Sequence, residues 1–299
     1  MSAATGLGGV APPAGRTARA LGAARSTPIL AAGILLVTLF AALAVASLFL
    51  GDRPYEQELV ERLQPPAWAE GGGGAHLLGT DSLGRDVLAR IMVATRISLE
   101  IAIASVAIGG VLGVLLGMVS GYFGGWLDDV LMRFTDAVLA IPLVLFALSV
   151  IAVIGGGIRN LILVIAFTQW MTYARTARGE TLVLRETPFV TAARSLGSSD
   201  AHILRRHVLP HLLPSAIVLA TLNVSLAVLL EAGLSFLGLG VQPPEPSLGS
   251  MLTEGRQYIT RASWLAIYPG IVLLLLVLGI NLLGDGLRSR LDQAGGGRR

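Results

Sequence analysis

Long apolar runs alternate with polar segments along most of the chain, and this pattern predicts six membrane-spanning helices. The first run, residues 29–50, carries no charge, and its 22 residues would extend about 33 Å as a helix, enough to cross a bilayer core. The other predicted spans are 97–120, 136–154, 158–176, 212–232 and 264–284. Because the number of spans is even, we expect both termini on the same side of the membrane.

The polar segments between these runs divide the chain into a tail, a loop and a core. Residues 1–28 are rich in Gly, Ala and Pro and are predicted to form a flexible cytoplasmic tail. A cleavable signal peptide is the alternative for the first run, but that run is too long for a typical signal sequence. The remaining predicted units are an extracytoplasmic loop at 51–96, a helical core at 97–284 that includes a cytoplasmic loop at 177–211, and a cytoplasmic tail at 285–299.

Arginine sets the predicted orientation, since cytoplasmic segments of membrane proteins carry the excess of basic residues. All 22 basic residues are arginine. With the N-terminus inside, 14 of them fall on inner segments and the other eight on outer segments. The 177–211 loop is then cytoplasmic.

Within that loop, residues 187–210 carry the punctuation of a short amphipathic helix. Thr187 is a favourable N-cap, Pro188 follows at the first helical position, and Gly197 lies where a glycine ends a helix. A second helix, capped by Ser199 or Asp200, should end near Pro210. The expected apolar face of the first helix consists of Phe189, Ala192, Ala193 and Leu196. Such a helix could dock a soluble partner or, alternatively, lie in the lipid headgroups.

Composition excludes several functions. The chain is 54% hydrophobic and 14% charged, which indicates a membrane protein in contact with lipid. Without lysine there is no Walker A phosphate loop, and without cysteine there is no thiolate metal site. We find no catalytic constellation, no basic face interleaved with aromatics for nucleic acid, and no third ligand beside His207 and His211. We therefore expect no enzyme activity, no bound cofactor or metal, and no nucleic-acid partner.

Three features inside the spans have predicted roles. Gly109, Gly113, Gly117 and Gly121 recur every four residues, which is typical of close helix packing. Pro142 and Pro269 lie within spans and predict kinks, either static or acting as hinges.

Glu231 ends the fifth predicted span, and a carboxylate near the bilayer is costly. It is a candidate gate or translocation-path residue. The alternative is a buried tie to an arginine or to backbone N–H groups.

The loop also resembles a known sequence motif. The pattern Ala192-Ala193-x-x-x-Gly197, followed after nine residues by His207-Val208-Leu209-Pro210, resembles the "EAA" loop of ABC-importer permeases, although Thr191 stands where that family usually has Glu. Further strings resemble the dipeptide/oligopeptide/nickel branch, and in particular its "C"-type permease. In chain order they are LGTDSLGRD (78–86), SGYFGGW (120–126), LSFLGLGVQPP (234–244) and NLLGDG (281–286).

The resemblance implies a bacterial inner-membrane permease of a peptide importer, or alternatively of an importer of nickel chelates or another small solute. Its implied partners are a second, homologous permease, two ATPase domains that bind ATP and Mg²⁺, and an external solute-binding protein. Glu186 could replace the missing glutamate contact. The residues implied to couple this chain to the ATPase are Arg185, Glu186, Phe189, Ala192, Ala193, Leu196, Gly197, Asp200 and Pro210.

Overall fold

The computed structural model describes residues 16–296, with side chains from 28 to 290, and within that part of the chain the protein is all α-helical. A π-helical turn, Leu204–Val208, joins the helices Asp200–Ile203 and Leu209–Phe236. The helices are α1 Arg16–Ala46, α2 Val87–Phe123, α3 Gly125–Leu139, α4 Leu143–Ile154, α5 Ile158–Leu184, α6 Pro188–Ser195, α7 Asp200–Ile203, α8 Leu209–Phe236, α9 Leu248–Gln257 and α10 Trp264–Gly296. The all-α prediction is confirmed.

Four stretches among the described residues are long and apolar enough to cross a membrane: Pro28–Phe49, Val87–Phe123, Asp200–Phe236 and Trp264–Arg290. The α3–α4 pair meets the same test only as a unit. Charged residues such as Arg159 and Arg175 interrupt α5, which is not among the four. Six spans, and the side on which the termini lie, therefore remain predictions.

Several predicted boundaries are wrong, because hydropathy marks only the apolar centre of a helix. Helix α2 begins at Val87, so residues 87–96 are helical rather than part of a loop. Its start is fixed by Asp86, whose side chain accepts a hydrogen bond from the Ala89 N–H at 2.9 Å. Residues 16–28 belong to α1, so this part of the predicted flexible tail is helical, and residues 285–296 continue α10. The cytoplasmic position of both segments stays a prediction. Residues 1–15 and 297–299 lie outside the described residues.

The third predicted span, 136–154, is not one straight helix. The chain bends by 90° between α3 and α4, and Pro142 is the N-cap of α4 rather than an interior residue. Proline lacks an N–H donor and disfavours helical backbone at the residue before it, which accounts for the break. Pro269, by contrast, lies inside α10.

Helices α2 and α5 run parallel and pack closely along the glycine stripe. A Cβ at Gly113 would lie 2.2 Å from the Trp170 carbonyl oxygen, and one at Gly117 would lie 2.1 Å from the Ala174 carbonyl oxygen. Gly109 and Gly121 face the same helix. A side chain at any of these positions would force the two backbones apart.

The bundle has two ends that differ in composition. The α6 end carries α6 and α7, with the start of α8 and the end of α10 beside them. The loop end carries residues 51–86 and α9. There the Trp264 indole N–H donates to the Thr80 carbonyl at 3.3 Å, and the Ser82 hydroxyl donates to Glu254 at 2.5 Å, so the loop is fastened to α9 and α10.

Candidate functional site

Helix α6 is a short, sharply terminated helix. At its C-terminus Gly197 has φ +79°, the Gly197 N–H donates to the Arg194 carbonyl at 3.0 Å, and the Ser198 N–H donates to the Ala193 carbonyl at 3.1 Å. This is a Schellman ending, which favours glycine because the backbone is left-handed there. Pro188 occupies the first turn. Thr187 holds the N-cap position, but its hydroxyl donates to the Leu184 carbonyl at 2.5 Å instead of capping α6.

The second helix of the segment starts as expected and ends much later. The Ser199 side chain caps it by accepting from the His202 N–H at 3.4 Å. The helix does not end near Pro210. It continues through the π turn into α8 and reaches Phe236. The Leu209 N–H bonds back to the Leu204 carbonyl across that turn, and Pro210 then lies in the first turn of α8, where a missing N–H is tolerated.

The outward face of α6 carries exposed apolar and polar side chains, and the Phe189 ring stacks on a histidine of α8 with the ring centroids 5.4 Å apart. Leu196 is 86% exposed and Phe189 is 40% exposed. Ala192 is also exposed, while Ala193 is half-buried. The residue that anchors α6 to the bundle is Val190, which is fully buried and was missed by the sequence reasoning. Its spacing of three from Ala193 was the available signal.

Polar contacts hold this segment to the end of α2. The Tyr122 hydroxyl donates to Asp200 Oδ1 at 2.6 Å, and the Arg194 guanidinium lies 5.3 Å from the centre of the Tyr122 ring. Arg185 Nη1 donates to the Gly121 carbonyl at 3.0 Å. Arg185 and Asp200 thus help to position the segment, and the sequence reasoning missed Tyr122, the partner of Asp200.

A second cluster of polar side chains lies at the same end of α2. Arg178 donates to Asp128 through two nitrogens, Nε at 2.7 Å and Nη2 at 2.6 Å. Ser120 also donates to Asp128. Bidentate pairs of this kind fix orientation as well as distance. Helices α2, α3 and α5 are therefore joined where α6 begins.

Thr191 stands where the motif usually has glutamate, and Glu186 is the candidate to replace that glutamate. Thr191 is exposed, and its hydroxyl donates to the Thr187 carbonyl at 3.1 Å. The Glu186 side chain is 75% exposed and pairs with Arg185 at 3.0 Å. An exposed carboxylate, already paired with Arg185, therefore lies five residues before the position that Thr191 occupies. Pro210 lines a basic hollow with His202, Arg205 and Arg206.

Glu231 lies far from α6, in the last part of α8, and is fully buried. Ser98 donates to one carboxylate oxygen at 2.7 Å and Ser235 donates to the other at 2.8 Å. Ser235 also accepts from the Val241 N–H at 3.1 Å. The geometry favours a structural tie, although the partners are serine hydroxyls rather than the expected arginine or backbone N–H groups.

Comparison with known proteins identifies the family to which this chain belongs. The family profile described as "Binding-protein-dependent transport system inner membrane component" matches residues 113–294. The glutathione transport system permease GsiD of Pectobacterium atrosepticum is 44% identical over 75% of this chain and 74% of its own length. The di/tripeptide permease DppC of Pseudomonas aeruginosa is 43% identical over 80% and 79%. The dipeptide permease DppC of Haemophilus influenzae is 39% identical over 87% and 88%.

A solved structure shows the same fold. An inward-facing MetNI methionine ABC transporter aligns with a TM-score of 0.52 at 22% identity, over 69% of this chain and 95% of the matched one. The membrane location and the permease family predicted from the motifs are confirmed. The chain belongs to the family of binding-protein-dependent transport system inner membrane components and is a multi-pass permease subunit of an ABC importer.

Proposed function

We propose that this permease carries small peptides into the cell and that α6 couples it to the ATPase subunits. Relatives named for glutathione, dipeptide and di/tripeptide transport, each at 39–44% identity, support the peptide substrate. The observation that carries the coupling role is the exposure of Leu196, at 86%, on a helix that is otherwise firmly anchored. An exposed apolar patch with a polar surround is a typical protein-docking surface.

The contacts around α6 give a physical route for this coupling. A partner that moves Leu196 and Phe189 moves a capped helix, which resists bending because its last carbonyls are bonded. Displacement of the α6–α7 segment acts on α2 through the hydrogen bond between Tyr122 and Asp200. Arg185, at the end of α5, bonds to the same end of α2. The glycine stripe then keeps α2 and α5 moving as one unit.

The remaining partners complete the proposed importer. A second homologous permease would share the substrate path, two ATPase domains would bind ATP and Mg²⁺, and a solute-binding protein would deliver peptide at the loop end. Family membership and the likeness to the methionine transporter fold support the ATPase and the binding protein as partners. The α6 end is then cytoplasmic, in agreement with the arginine distribution.

The test is Leu196→Asp in the complete complex, reconstituted in liposomes with its binding protein. A charge in the docking patch should lower peptide-stimulated ATP hydrolysis by about tenfold or more, as expected for the loss of a central apolar anchor. Val60→Asp is the matched control, since Val60 is 99% exposed at the loop end. If Leu196→Asp keeps normal stimulation, the coupling role is wrong. If neither dialanine nor tripeptides stimulate the wild-type complex, the peptide substrate is wrong.

A further inference from the structure

An apolar groove of about 530 Å³ runs along the outside of the bundle between α2 and α8. Its walls come from α2 between Ile103 and Leu115 and from α8 between Leu209 and Val224. Gly110, Ala216 and Ala220 line it, and such small residues leave room between the two helices. The lining includes no charged side chain, so the groove suits hydrocarbon and gives a charged solute no partner.

The groove is long enough for the acyl chains of one membrane leaflet. Its α8 wall extends from Leu209 to Val224, which corresponds to about 22 Å along a helix axis. One leaflet contributes about 15 Å to a hydrocarbon core that is about 30 Å thick. Val111 and Ile217 are exposed in the groove, so it opens on the outer surface of this chain.

The basic hollow of about 690 Å³ lies at the α6 end of this groove. Arg205 and Arg206 line the hollow and are exposed, and Pro210 of the hollow directly follows Leu209 of the groove. Neither arginine forms an ion pair with another residue between positions 28 and 290. The arginines that do are Arg85, Arg90, Arg175, Arg178 and Arg185. Both guanidinium groups of the hollow are therefore available to an anion.

The hollow and the groove share one face of a continuous helix. Leu209 and Leu213, which follow Arg205 at intervals of four residues, line the groove, and this spacing marks one stripe of a helix. His211, two positions after Leu209, points to another side and stacks on Phe189 of α6, with the ring centroids 5.4 Å apart. The groove and α6 thus lie on different sides of α8.

The two arginines also lie near the depth of lipid head groups. The apolar run of α8 begins at Leu212, so Arg205 and Arg206 precede it by about 10 Å of helix axis. The head-group region adds about 5–8 Å to each side of the hydrocarbon core. Arginine side chains are long and can extend back to the interface, where basic residues attract anionic lipids.

We propose that the groove and the basic hollow together bind an anionic phospholipid, with its phosphate on Arg205 and Arg206 and an acyl chain between α2 and α8. The apolar walls accept the hydrocarbon. Guanidinium groups bind phosphate oxygens in pairs, and their two positive charges favour a head group with net negative charge. The site depends on the membrane location of the chain and on neither the peptide substrate nor the coupling role of α6.

Native mass spectrometry of the complete complex tests the head-group half of the site. The complex in detergent is titrated with dioleoyl phosphatidylglycerol or with dioleoyl phosphatidylcholine, and we expect tighter binding of phosphatidylglycerol. Arg205→Gln combined with Arg206→Gln should weaken that binding by about tenfold or more, the size expected for two arginines that face an anionic head group. Arg288→Gln combined with Arg290→Gln is the matched control, because it removes two exposed arginines from the same end of the bundle but outside the hollow.

Photolabelling of the complete complex tests the groove. The probe is phosphatidylglycerol with a diazirine in one acyl chain, and labelled segments are located by mass spectrometry. We expect label on residues 103–115 and 209–224. Ala220→Phe, which fills the groove, should lower this labelling by about tenfold, whereas Leu226→Phe, at an exposed position of α8 outside the groove, should not.

Four outcomes would overturn the site. They are equal affinity for the two lipids, unchanged affinity in the double variant of Arg205 and Arg206, displacement of phosphatidylglycerol by inorganic phosphate alone, and a groove left unlabelled because the second permease covers it. If Ala220→Phe fails to assemble, the double arginine variant still decides, because both of its positions are exposed and should tolerate glutamine.

Discussion

The two ends of the helix bundle bury their polar groups to different extents. At the loop end, charges are buried: Arg90 and Asp81 are 5% and 2% exposed, and Glu231, nearby in α8, is fully buried. At the α6 end Asp128 is buried as well, at 7% exposed, but the polar groups that hold α6 and α7 lie closer to the surface, and Leu196 adds an exposed apolar side chain. The same helix, α2, contributes residues to both ends.

This difference separates two physical tasks. A docking surface needs apolar area that stays exposed until the partner arrives, together with anchors that keep its position fixed. Buried charges need partners that a rigid surround holds in place, because an unpaired charge away from water is costly. Variants that act on one end, or on the connection between the ends, can therefore test the division.

The largest effect should come from breaking the connection between the ends. Gly117→Leu places a side chain where even a Cβ would lie 2.1 Å from the Ala174 carbonyl oxygen, so α2 and α5 must separate. We expect destabilisation of at least about 3 kcal/mol and little assembled complex, measured by thermal unfolding and by yield after purification.

The control for this variant is Gly179→Ala on α5, where an added Cβ would meet open space. It should be neutral or slightly stabilising, because alanine favours a helix more than glycine does. Normal assembly of Gly117→Leu would show that the close packing of α2 and α5 does not join the two ends.

A smaller effect should follow from Glu231→Ala, which weakens the loop end alone. The change leaves the Ser98 and Ser235 hydroxyls without their buried acceptor and opens a void, at a cost of about 2–4 kcal/mol. Thermal unfolding should show a clear loss for Glu231→Ala and a smaller one for Glu231→Gln, whose amide oxygen can still accept. If stability is unchanged while peptide uptake is lost, Glu231 belongs to the translocation path instead.

The smallest effect should be a pH dependence confined to the loop end. His76 contacts Asp86 and Glu61, each at 2.9 Å. Burial alone would lower the pKa of His76, but the hydrogen bonds and charges of Asp86 and Glu61 outweigh it and raise the pKa above its ordinary value. The stabilisation is therefore full below the unfolded pKa of about 6.5 and is lost as pH rises through the folded value.

Because these groups are partly exposed, the contribution should stay below about 1 kcal/mol. The measurement is the difference in Tm between wild type and His76→Gln, which should shrink as the pH is raised from 6 to 9. A difference that grows with pH would contradict the assignment. Coupling at the α6 end should not change with His76→Gln.

The helical class and the family were predictable because they depend on features that a linear pattern records. Apolar runs located the helix centres, and the glycine repeat marked the surface that packs on α5. Helix ends were harder, because hydropathy does not report caps such as Asp86. Pro142 was predicted to kink a single span, but it separates two helices, since a proline alone does not tell whether a helix kinks or ends. Val190 was missed because the face of α6 that turns inward depends on how α6 docks.

The sequence by itself determined that this protein is a lysine-free, helical membrane permease with a short capped helix in its 187–210 segment, because composition, periodicity and caps are local properties. The tertiary structure decided which residues meet across the chain. It placed Tyr122 beside Asp200 and enclosed Glu231 between Ser98 and Ser235. The first contact joins residues 78 positions apart and the contact with Ser98 joins residues 133 positions apart, separations at which only folding determines distance.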